Sequence, residues 1–81
     1  MGFQQPNQLD LAIAQTLKNK REENGWVMKQ VAKKLDVPHS YISKIELGEK
    51  RLSAGELNCY CSALNVSIEQ VFSESIISNS L

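Results

Sequence analysis

Near the middle of this 81-residue chain, two short helical patterns are separated by only three residues, Asp36 to Pro38, and that spacing limits the folds open to it. From Val27 to Leu35, the apolar residues Met28, Val31, Ala32 and Leu35 recur at i, i+3, i+4 and i+7. They share one helix face and leave Lys29, Lys33 and Lys34 pointing outward. Asp36 and Val37 make a tight connection, and Pro38, with its fixed φ, stands at or just before the first turn of a helix ending near Glu46. Gly48 lies beyond it. Two short helices joined so briefly, each with one apolar stripe, cross steeply on a third helix, and the second of the pair is left exposed.

The flanking sequence supplies that third helix and two more. Leu9, Ile13, Leu17 and Arg21 recur every four residues between Gln8 and Asn24, and Gly25 is a natural left-handed terminator. Ser53 and Glu56 form a capping-box pair ahead of Leu57, Tyr60, Cys61 and Leu64, with Asn65 as the stop. Ser67 and Gln70 repeat that signature before Ile68, Val71 and Phe72, so a short last helix is expected to about Glu74. No strand alternation competes. The expectation is an all-α, compact five-helix domain over 9–74, with a loose arm at 1–8 and a fraying tail at 75–81.

A chain of this length buries only about 60% of its unfolded surface, so it forms one small core and gains from a partner subunit. Nine Lys and Arg balance nine Asp and Glu, which by itself weakens a polyanion-binding reading. Their distribution restores it. All nine cations fall between Lys18 and Arg51 with five acids, leaving that segment at +4 and the flanks, with Asp10, Glu56, Glu69 and Glu74, at −4. No apolar run approaches the roughly 18 residues of a membrane span, and Met1 to Gln8 is no signal peptide, so a cytoplasmic protein that engages no membrane is expected.

The stretch GWVMKQVAKKLDVPHSYISKIELGEKRL followed by SAGELNCYCSALNVS resembles the Cro and phage-repressor (XRE-type) helix-turn-helix family. The resemblance covers about residues 9 to 72 and rests on linked positions, among them Val31, Ala32, Leu35, Val37, Ile42, Ile45, Gly48, Leu57, Ala63, Leu64 and Val66. It implies a lambda-repressor-like fold whose helices 2 and 3 form the helix-turn-helix. It also implies sequence-specific binding of double-stranded DNA, with the helix from His39 to Glu46 in the major groove. The positions matching the family's base-reading residues are His39, Ser40, Ser43 and Lys44, and their chemistry suits base edges. Arg21 and Glu46 match a structural ion pair that ties helix 1 to the end of the recognition helix. Two departures stand out: Val27 and Met28 replace a capping hydroxyl and a phosphate-touching Gln, and Asp36 and Pro38 replace a turn Gly and a second capping hydroxyl.

Lys29, Lys33, Lys34, Tyr41, Lys50 and Arg51 are candidates for phosphate contact, with Lys18 and Lys20 as further cations outside the motif. Ile68, Val71, Phe72, Ile76 and Ile77 exceed what so small a domain buries alone and are assigned to a homodimer interface. The resulting expectation is a homodimeric transcriptional regulator, a repressor or autoregulator on a near-palindromic operator. The rival reading is an antitoxin or adaptor that uses the same fold to bind an unknown protein partner. Catalysis has no constellation to support it, because a single His39 stands without an acid pair or a glycine-rich phosphate loop. Cys59, Cys61 and His39 make no metal set, since the two cysteines diverge on a helix with Cys61 inward, so no metal and no cofactor is expected.

Overall fold

Asn7 starts the first helix because its side chain and that of Asp10 cap each other's backbone N–H groups, both at 2.9 Å. The helix, α1, runs over Gln8–Glu23 and closes at Gly25, whose φ of 72° suits a residue without Cβ. The computed structural model describes residues 7–80, with side chains through residue 77. The arm expected at 1–8 therefore does not include Asn7 and Gln8, which the reciprocal cap binds into α1, and residues 1–6 lie outside the described residues.

The second helix, α2, spans Met28–Leu35. Val27 at its cap has no side-chain acceptor, but Gln30 Oε1 accepts the Val27 N–H at 2.9 Å and supplies half of a cap. Asp36 ends α2 at φ 57°, so the substitution for a turn glycine is accommodated in the left-handed region that Asp tolerates better than most residues. Pro38 then caps α3, His39–Glu46, through its extended backbone. Gly48 follows α3 at φ 76°, and a Cβ there would run into Leu11 Cδ2.

Ser53 and Glu56 cap α4, Ala54–Ala63, reciprocally at 3.1 and 2.7 Å, and Asn65 takes φ 61° beyond its end. Ser67 Oγ accepts the Gln70 N–H at the start of α5, Ile68–Ser80. That helix passes Glu74, where the sequence pattern ends. Ser75 is fully buried against α1: its Oγ lies 2.6 Å from Val71 O and 3.1 Å from Thr16 Oγ1, while the Thr16 hydroxyl donates to Ala12 O. Lys20 of α1 adds an ion pair to Glu74 at 2.8 Å. The segment expected to fray from residue 75 is thus helical through Ser80, and at Glu74 and Ser75 it is held by polar contacts that an apolar-periodicity reading does not register.

α1 and α5 pack along one another, α2 crosses α3 and also meets α4, and α1 touches α3. Leu17, Val31, Ile42, Ile45, Leu57, Tyr60, Cys61, Leu64 and Val71 form the buried centre. Full burial of each large aliphatic chain stabilises the fold by about 1.5–3 kcal/mol. Trp26 and Met28 are half-buried against this centre. Among the described residues, no helix is long and apolar enough to cross a membrane.

Candidate nucleic-acid interface

The eight residues of α3 divide into two faces. Ile42 and Ile45 are buried in the core, and Glu46 is fixed at the helix end. His39, Ser40 and Lys44 are exposed and Ser43 is half-buried, so the four positions assigned to base readout share the outward face. An exposed helix with short polar and cationic tips, seated on a packed apolar side, has the shape and donors that a major groove accepts.

Arg21 fixes the end of α3. Its Nε and Nη2 donate to Glu46 Oε2 and Oε1 at 2.6 and 3.0 Å, and Nη1 donates to Trp26 O at 2.7 Å. The Glu46 side chain is only 2% exposed, so this is a buried bidentate pair joining α1, α3 and the loop before α2. Removing one partner from such a pair costs about 3–5 kcal/mol. Burial, and then the Glu46 carboxylate, push the nearby Tyr60 phenol well above its ordinary value. Tyr60 Oη lies 3.5 Å from Glu46 Oε2.

The six residues assigned to phosphate contact are disposed differently. Lys29 and Lys33 are exposed one turn apart on α2. Lys34 turns to α4, donating to Ala63 O at 3.1 Å with its ammonium 4.2 Å from the Trp26 ring centre. There it complements the carboxyl end of α4, so its assignment to phosphate does not fit this geometry. The Tyr41 hydroxyl likewise donates to Glu56 Oε2 at 2.9 Å, and the Lys50 ammonium lies 5.1 Å from the centre of its ring. Burial and then Glu56 raise the Tyr41 phenol. The Ser53 N–H and then the Tyr41 hydroxyl hold the Glu56 carboxyl below its usual value. Arg51 Nε meets Asp10 Oδ2 at 3.2 Å. Lys18 is half-buried, and Lys20 is held by Glu74 and Glu23.

The apolar set assigned to a dimer interface also divides. Val71 is 0% exposed and belongs to the chain's own core, because the inner face of α5 that packs on α1 passes through Val71 and Ser75. It is removed from the interface set. Ile68 and Phe72 are half-buried against the core, while Ile76 and Ile77 are 52% and 62% exposed. Cys59 is exposed and Cys61 buried, with its thiol pushed up by burial.

Sequence reading missed several contacts, among them Asp10 with Arg51, Lys34 with Ala63 O, Tyr41 with Glu56, and Ser75 with Thr16. The Asn7 and Asp10 cap was missed as well, although a polar residue three positions before an acid is a local signal for it. The others join residues far apart in sequence and leave no periodic signal.

The sequence profile of the helix-turn-helix family matches residues 17–71, more than half of the chain. No curated protein sequence matches the chain. Among solved structures, it is similar to the clp gene regulator ClgR from Corynebacterium glutamicum, with 28% identity and a TM-score of 0.84 over 94% of this chain and 80% of that one. It is also similar to the restriction-modification controller protein C.Esp1396I, solved as a tetramer in complex with its natural 35 base-pair operator. There the identity is 26% and the TM-score 0.82, over 90% of this chain and 96% of that one. The matched profile spans both helices that carry the site, and the chain belongs to the helix-turn-helix family of Cro and phage-repressor type, whose members are DNA-binding transcriptional regulators.

Proposed function

We propose that this chain is a cytoplasmic, homodimeric transcriptional regulator, a repressor or autoregulator, that binds a near-palindromic operator. The observation that carries the reading is the division of α3: Ile42, Ile45 and Glu46 lock the helix, while His39, Ser40, Ser43 and Lys44 project from it. Lys29 and Lys33 on α2 supply cations for the flanking phosphates. Similarity to a controller protein solved in complex with its operator supports DNA binding. The exposed Ile76 and Ile77, beside half-buried Ile68 and Phe72, give a second copy an apolar surface to cover. In such a dimer the two α3 helices stand about 34 Å apart, one helical turn of DNA.

Fluorescence anisotropy with a random duplex across a salt series tests the DNA reading. Affinity falls steeply with salt, with a log–log slope of about −0.9 per neutralised phosphate. A flat salt response would leave the fold to a protein-binding role, as in an antitoxin or adaptor. Sedimentation of the same preparation gives a dimer at micromolar concentration; a species that stays monomeric there removes the two-fold operator from the proposal.

A further inference from the structure

The two arginines of the chain are held in contrasting ways. Arg21 donates from Nε, Nη1 and Nη2 into the fold, and its side chain is 9% exposed. Arg51 forms an ion pair with Asp10 whose nearest contact, Nε to Oδ2, is 3.2 Å, and its side chain is 35% exposed. A guanidinium carries five N–H donors in one plane. Four of those donors sit on the two terminal nitrogens, which lie farther from the Asp10 carboxylate than Nε does.

Asp10 is itself fixed. Its Oδ2 accepts the Asn7 N–H at 2.9 Å while its own N–H donates to Asn7 Oδ1, so the cap of α1 sets its side-chain conformation. The next residue, Leu11, covers Gly48, where the chain turns away from α3. Lys50 in the same loop lies over the Tyr41 ring of α3. The loop that leaves α3 is therefore held by the first turn of α1 on one side and by α3 on the other.

On the reading that α3 is the groove helix, we propose that Asp10 is a positioning residue for DNA binding. Its carboxylate pairs with the Nε side of Arg51, which leaves the two terminal nitrogens as a fork for a phosphate flanking the groove. Arginine suits phosphate by this bidentate geometry, and a fork oriented in advance loses less side-chain freedom on binding. The Asp10 carboxylate repels DNA, so its benefit exists only through Arg51.

The test is random-duplex anisotropy over a salt series with the full chain, Arg51→Ala, Asp10→Asn and the double variant. Asparagine keeps an oxygen for the Asn7 N–H, and thermal melting checks that the cap survives. Arg51→Ala weakens binding and lowers the steepness of the salt slope by about 0.9 per protomer. Asp10→Asn weakens binding several-fold in the wild-type background, yet leaves it unchanged or strengthens it once Arg51 is alanine. Stronger binding from Asp10→Asn in both backgrounds overturns the proposal, because Asp10 then acts by charge alone. So does an Arg51→Ala variant with an unaltered slope. Loss of salt-dependent binding in the wild-type chain is a separate failure, that of the DNA reading itself, and the proposal falls with it.

Discussion

Lys33 and Lys44 are both exposed cations, yet they stand on different elements and call for different effects. Lys44 extends from the outward face of α3 beside Ser43 and Ser40, where an ammonium can donate to guanine O6 or N7. Lys33 lies one turn from Lys29 on α2, where the proposed docking gives a cation phosphate to meet and no base edge to read. Once an operator has been selected from a random duplex library, Lys44→Ala should cost about 1–3 kcal/mol on it and relax preference at one base position. Lys33→Ala should weaken operator and random duplex by the same factor. Equal losses on both duplexes for Lys44→Ala would move it from readout to phosphate contact. The outward face of α3 was legible in the sequence because Ile42 and Ile45 mark its apolar side, whereas the assignment of His39, Ser40, Ser43 and Lys44 to base readout rests on the family resemblance. The cations were not legible in the same way, since a lysine reaches several partners and only the fold selects one, as with Lys34 and Ala63 O.

At the level of elements, punctuation carried most of the information. Ser53 with Glu56 and Ser67 at the head of α5 set helix starts through their own hydrogen bonds, which local sequence encodes. The incomplete cap of α2 is the exception and gives a prediction. Gln30 already accepts the Val27 N–H, and Val27 is 57% exposed, so little packing depends on its methyl groups. Val27→Thr places a hydroxyl where it can share the Gln30 N–H, which donates to the Val27 carbonyl at 3.0 Å, and close the reciprocal cap. Urea unfolding should show a higher midpoint with an unchanged m-value, a gain of about 0.5–1 kcal/mol. An unchanged or lower midpoint would mean that the exposed valine contributes packing of comparable size.

Across the whole molecule, α5 is held to α1 by the buried Ser75 and Thr16 contact and by the pair of Lys20 with Glu74. The Lys20 ammonium holds the Glu74 carboxyl below its ordinary value, and the Ser53 N–H does the same for Glu56. A carboxyl depressed in the fold contributes stability that is complete above its unfolded-state value and is lost as the pH falls through the folded one. The melting temperature should therefore decline as the pH is lowered from about 5 to 3, around the unfolded glutamate value near 4.3. Glu74→Gln should melt lower at neutral pH and show a shallower acid decline; a decline of the same depth would place the acid sensitivity elsewhere. The sequence by itself determined the five helices, the brief turn between α2 and α3, and the sorting of α3 into apolar and polar sides, because periodicity and caps act within a few residues. Tertiary structure decided that Val71 belongs to the core, that α5 continues to Ser80, and which cations stand clear of the fold. Those outcomes depend on partners tens of residues away, brought within hydrogen-bonding distance only when the helices pack. Arg51 beside Asp10 is set in the same way, by the docking of a loop against α1.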